Sequence, residues 1–115
     1  MNLNLDTNGF RSIANSFDLF FIDIWGVIHN GISIFEDSIN VLDELDKLNK
    51  EYVLLTNAPR PNDTVKNFLI KMGLEKIKSE KVYTSGEAAL VNLSLKWKDK
   101  KFFHIGPLRD FDLFK

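Results

Sequence analysis

An acid at the end of an apolar run is the first place in this chain where chemistry could sit. The stretch Phe20-Phe21-Ile22-Asp23-Ile24-Trp25-Gly26-Val27 breaks on a single carboxylate and turns at once through a glycine. A carboxylate held where a buried strand emerges at a sheet edge is rigid and partly desolvated, which suits a nucleophile or a metal ligand. A second run, Tyr52-Val53-Leu54-Leu55, ends in the same manner on Thr56-Asn57. If the two runs are neighbouring strands, about 4.8 Å apart, Asp23 and Thr56 reach into one crevice. Asp23 then offers an attacking carboxylate, while the Thr56 hydroxyl and the Asn57 backbone N–H hold a non-bridging phosphate oxygen. Two anions repel, so such a reaction needs a cation. An oxygen-only donor set suits Mg²⁺, with Asp23, the backbone carbonyl of Trp25, the phosphate and water as its ligands. Sites of this kind usually add a further carboxylate, and the sequence offers no convincing one.

The elements that must position these groups follow from periodicity. Leu19 to Ile24 is near-continuously apolar and predicts a strand of a parallel sheet, buried on both faces. Glu36 to Lys50 places Val41, Leu42, Leu45 and Leu48 at helical spacing. Tyr52 to Leu55 is the second strand. Pro61 suits the first turn of a helix whose stripe is Val65, Phe68, Leu69 and Met72, stopped by Gly73. Lys81 to Thr84 reads as a third strand, and Ser85 as the cap of a helix with Ala89, Leu90, Leu93 and Trp97 inward. Lys101 to Ile105 reads as a fourth strand. This alternation predicts a doubly wound α/β parallel sheet, Rossmann-like, with helices on both faces.

Bulk composition narrows the function classes. At 115 residues the chain is one domain at most, able to hide roughly two-thirds of its unfolded surface. A net charge of −1, with lysines interleaved among acids, gives no nucleic-acid footprint. The absence of cysteine excludes disulfides, thiolate zinc sites and cysteine nucleophiles, and fits a reducing compartment. No leader pattern or membrane-length apolar run occurs, so the expectation is a soluble, cytoplasmic protein.

Three motifs in order now carry a resemblance. Asp23-Ile24-Trp25-Gly26-Val27 resembles the first motif of the haloacid dehalogenase (HAD)-like hydrolase superfamily, and Leu54-Leu55-Thr56-Asn57 resembles its second. With Ile28-His29-Asn30-Gly31, Thr56-Asn57-Ala58-Pro59-Arg60 and Thr84-Ser85-Gly86-Glu87-Ala88, the chain is most similar to the NagD-like branch, subfamily IIA. The resemblance implies that Asp23 forms an aspartyl-phosphate, that Asp23 and the Trp25 carbonyl bind Mg²⁺, and that Thr56 binds the transferring phosphoryl group of a small phosphorylated metabolite. It also implies that residues 1–99 are the N-terminal half of the core and that residues 100–115, including the Lys101 to Ile105 strand, begin a truncated cap insertion.

The chain departs from the family pattern at Trp25, where most family phosphatases carry the aspartate that protonates the leaving group. General acid catalysis is worth about 10²–10⁴ in rate, so ester turnover should suffer. The later lysine and acidic pair of the family also lie beyond Lys115, which makes the isolated chain an inactive enzyme portion by this reading. The alternative is a non-catalytic fragment or binding module, whose incomplete sheet leaves an unpaired edge for self-association. Among the remaining polar residues, His29 reads as a loop residue near the site, Arg60 as a capping or packing residue, and Asp110 with Asp112 as a solvated tail.

Overall fold

Parallel strands β1 (Leu19–Asp23), β2 (Glu51–Thr56) and β3 (Val82–Thr84) lie side by side in that order in the computed structural model, which describes residues 4–114. Helices α1 (Leu5–Asn8) and α2 (Arg11–Ala14) precede β1, and α3 (Glu36–Lys47) crosses from β1 to β2. The return to β3 passes through α4 (Asn62–Lys71) and α5 (Lys76–Ser79), and α6 (Ser85–Lys96) leaves β3. A 3-10 helix, Leu108–Phe114, closes the described chain. The expected α/β architecture with parallel crossovers is therefore present.

Each crossover helix forms for a local reason and is held by its buried stripe. Glu36 and Asp37 in the first turn of α3 and Lys47 in its last complement the helix dipole. Leu42 and Leu45 of α3 are sealed against the sheet, each worth about 1.5–3 kcal/mol of transfer free energy. The turn into β2 is closed by Asn49 in the left-handed region and by the Lys50 N–H donating to the Leu45 carbonyl at 2.9 Å. In α4 the expected stripe holds in part: Leu69 is sealed and Val65 and Met72 are half-buried, but Phe68 is 44% exposed, and Pro61 stands just before the helix rather than inside it. Lys78 of α5 is almost completely buried and bonds Asp43 of α3 at 2.8 Å, which ties the two crossovers together.

One contiguous core joins Phe20, Tyr52, Leu54 and Val82 of the sheet to Leu42, Leu45 and Leu69 of the helices and to Ile24 and Leu74 of the connections. The alternate residues Leu19, Phe21, Leu55 and Tyr83 are exposed, Phe21 to 68%. The expected cover on both faces is thus realised on one. An apolar run shows that a strand can be buried on both sides, whereas the layer that buries it must come from elsewhere in the fold.

Further corrections concern the later elements. Lys101 to Ile105 forms no strand, and Phe103 and Ile105 are 90% exposed. A strand needs a neighbour for its backbone groups, and none lies beside this segment among the described residues. The cap of α6 is Thr84, whose hydroxyl accepts the Glu87 N–H at 2.9 Å, one residue earlier than expected. Only Leu90 and Leu93 of the expected inner residues are half-buried, while Ala89 and Trp97 are exposed. Leu93 and Trp97 line a cleft with Phe102, Leu113 and Phe114, so the helix faces the C-terminal segment there. Among the described residues no helix is long and apolar enough to cross a membrane.

Candidate functional site

Asp23 and Thr56 are the last residues of adjacent parallel strands and so stand at the same rim of the sheet. The register sets Asp23 opposite Leu55 and Thr56 opposite Thr84. Carboxylate and hydroxyl therefore belong to opposite faces of the pleat. Together with Phe21, Leu55 and Asn57 they line one open cavity of about 420 Å³. Asp23 is exposed, and its Oδ1 accepts the N–H of Ile24 at 2.8 Å. No basic side chain pairs with it among the described residues. Thr56 Oγ1 accepts the Ala58 N–H at 3.2 Å, which fixes the hydroxyl at the start of the next turn.

The loop after β1 is tightly built. Gly26, at φ 77°, lets the chain reverse so that its N–H reaches the His29 carbonyl at 2.8 Å, and the buried Ile28 donates back to the Ile24 carbonyl at 2.8 Å. Asn30 Oδ1 accepts the N–H groups of Ile32 and Ser33, both at 2.9 Å, forming a small hairpin tip. Gly31 sits in this tip at φ 90°, and the Trp25 ring covers it so closely that a Cβ there would stand 2.5 Å from the ring. The Trp25 carbonyl accepts no hydrogen bond among the described residues. The Asp23 carboxylate and the unbonded Trp25 carbonyl are oxygen donors of the kind Mg²⁺ takes together with phosphate and water, and no cluster of three acidic or histidine ligands occurs among the described residues.

A second cavity of about 310 Å³ adjoins the first, with Thr56 and Asn57 in both walls, and is bounded otherwise by Trp25, His29, Arg60 and Phe68. His29 is 4% exposed, and its ring stands edge-on to both Trp25 and Phe68. Burial holds its imidazole below the ordinary histidine range. Sequence reasoning ranks this residue as an ordinary loop histidine. Its partner Phe68 comes from α4, which no local spacing reveals.

Arg60 is committed elsewhere: its Nε and Nη2 donate to Asp112 Oδ2 at 3.1 and 2.9 Å, and Thr64 Oγ1 donates to the same oxygen at 2.8 Å. Desolvation works against the Asp112 carboxylate, but the bonds from Thr64 and Arg60 outweigh it and hold its pKa below the usual range. Asp110 is buried as well. Neither is a solvated tail residue, and Asp112 anchors the 3-10 helix to Arg60 and Thr64. A third cavity of about 250 Å³, lined by Phe10, Ala14, Val41 and Leu45, has Arg11 and Glu44 as its charged groups, and these pair with each other at 2.8 Å.

With this geometry in place, comparison with known proteins is informative. A hydrolase from Brucella suis 1330, of the haloacid dehalogenase-like family, is 28% identical with a TM-score of 0.80, over 91% of this chain and 38% of its own. A 4-nitrophenylphosphatase from Thermotoga maritima shares the fold at 23% identity and a TM-score of 0.71, over 89% of this chain and 39% of its own. This chain thus spans well under half the length of those relatives. No curated protein matches it significantly. The family model described as haloacid dehalogenase-like hydrolase matches residues 20–115, so the chain belongs to the haloacid dehalogenase-like hydrolases.

Proposed function

We propose that this chain carries the nucleophile and phosphate-binding half of a Mg²⁺-dependent phosphatase site for small phosphorylated metabolites, working in the cytoplasm. The observation that supports this reading best is the shared cavity of Asp23, Thr56 and Asn57 at the ends of neighbouring parallel strands. In this reading a carboxylate oxygen of Asp23 attacks phosphorus, the bond to the ester oxygen breaks, and an aspartyl-phosphate and an alkoxide result. Thr56 donates its hydroxyl proton as a hydrogen bond to a non-bridging oxygen, and Asn57 lies beside it. Water then cleaves the aspartyl-phosphate to free phosphate and carboxylate. Asp23 and the Trp25 carbonyl would hold Mg²⁺, which supplies positive charge against the phosphate.

The departing alkoxide needs a proton, and the indole of Trp25 supplies none. Turnover by this chain is accordingly negligible in our reading, lower by about 10²–10⁴ on that account alone. Beryllofluoride, which mimics a phosphoryl group on a carboxylate, tests the site without turnover. Addition with Mg²⁺ should move the amide NMR signals of Asp23, Thr56 and Asn57, and Asp23→Asn should abolish the shifts. Identical spectra for both proteins would sink the proposal and favour a non-catalytic module. Rapid hydrolysis of a generic phosphate ester, lost in Asp23→Asn, would keep the nucleophile but overturn the inactivity.

A further inference from the structure

The second cavity has a directional donor in its wall. His29 Nδ1 accepts the Gly31 backbone N–H at 2.8 Å, which requires that nitrogen to be bare. The ring proton of the neutral imidazole is then on Nε2. That atom makes no hydrogen bond among the described residues, while the residue as a whole is 4% exposed. The Nε2 proton is therefore available to an acceptor that enters the cavity in place of water.

The surroundings define what can enter. Trp25 and Phe68 each make a T-shaped contact with the imidazole and give the cavity flat apolar walls, with centroid distances of 5.2 and 5.5 Å. The Arg60 charge is neutralised by Asp112 at 2.9 Å, so it offers little to a second anion. Thr56 and Asn57 connect this space to the Asp23 rim.

We propose that His29 Nε2–H donates a hydrogen bond to a neutral, flat, acceptor-bearing organic group of a phosphate monoester whose phosphoryl group lies at Asp23, Thr56 and Asn57. This rests on the phosphate-site reading above. His29 is a specificity-determining residue that touches the organic part of the substrate, and the class selected is a monoester with one phosphate and an uncharged aromatic or carbonyl-bearing remainder. Sugar acids and bisphosphates lack the second cation they need here.

The test uses the whole chain, labelled with ¹⁵N in histidine rings and backbone, with Mg²⁺ and two probes: inorganic phosphate and 4-acetylphenyl phosphate. The free protein should show a protonated Nε2 and a bare Nδ1. Both probes should shift the Asn57 amide, and the ester alone should shift His29 Nε2. In His29→Phe the preference for ester over phosphate should drop about three- to tenfold, the worth of one hydrogen bond, and His29→Gln should recover part of it. An ester that shifts Asn57 without moving Nε2 overturns the role of His29 and leaves the phosphate site standing. Probes that move neither signal remove the phosphate site, and this inference with it. The spectra of the unaltered chain decide even if a variant does not fold.

Discussion

The ring of Trp25 lies over Gly31 with no room for a methyl group between them. The first motif and the hairpin tip are thereby packed as one unit, and the position that most family phosphatases give to an acid is used here as a lid. Gly31→Ala must both strain a backbone at φ 90° and push the indole aside. Urea denaturation should show a loss of about 1–3 kcal/mol. Adding Trp25→Ala should recover the steric part of that loss and not the backbone part, a split that a double-mutant cycle reads directly.

Thr84 holds two elements with one hydroxyl. It accepts the Glu87 N–H at 2.9 Å and donates to the Arg60 carbonyl at 2.5 Å, fully buried. Thr84→Val keeps the shape and removes both bonds, which should cost about 2–4 kcal/mol. Ser85→Ala should change stability by less than about 0.5 kcal/mol, since Ser85 Oγ makes only a 3.4 Å contact with the Thr56 carbonyl. Equal effects of the two substitutions in thermal unfolding would contradict this assignment.

Lys78 and Tyr52 make the fold sensitive to alkali. Burial works against the Lys78 ammonium, but bonds and charges from Asp43 and Glu75 outweigh it and raise its pKa. Burial, with the charge of Asp46 second, pushes the Tyr52 phenol up to about 12. In the unfolded chain these groups lose their protons near about pH 10. The native state therefore binds more protons above that point, and stability should fall as pH rises from about 10 toward 12. The urea midpoint at pH 11.5 should lie below that at pH 9. Lys78→Met should lower stability by about 1–2 kcal/mol at pH 8, less than for a wholly buried pair because its acid partners can hydrate, and should flatten the alkaline slope.

The Asp112 anchor works in the opposite direction. Its folded pKa is depressed, so its contribution is complete above the unfolded value near about pH 4 and is lost as pH falls through the folded one. Acid titration followed by near-UV circular dichroism should show loss of the 3-10 helix packing before global unfolding. Asp112→Asn should cost about 0.5–1.5 kcal/mol at pH 7, discounted for the partial exposure of Arg60, and should remove that acid step.

The sequence was most readable where one local pattern suffices. The apolar runs ending on Asp23 and Thr56, and the stripe of Val65, Leu69 and Met72, announce the strands and α4 with no tertiary information. The parallel pairing followed from the alternation of elements, and the three motifs in order identified the family. Lys101 to Ile105 has the composition of a strand, but composition supplies no neighbour. Asp112 looked solvated because its partners, Arg60 and Thr64, lie 52 and 48 residues away in the chain. His29 reads as a plain loop residue for the same reason: its partner Phe68 lies 39 residues on, in α4.

Phe21 and Leu55 frame Asp23 on the side of the sheet where, among the described residues, no helix is packed. Any layer laid over those side chains would strip water from the carboxylate as it buried them. Closure of the apolar surface and dehydration of the acid would then be a single event.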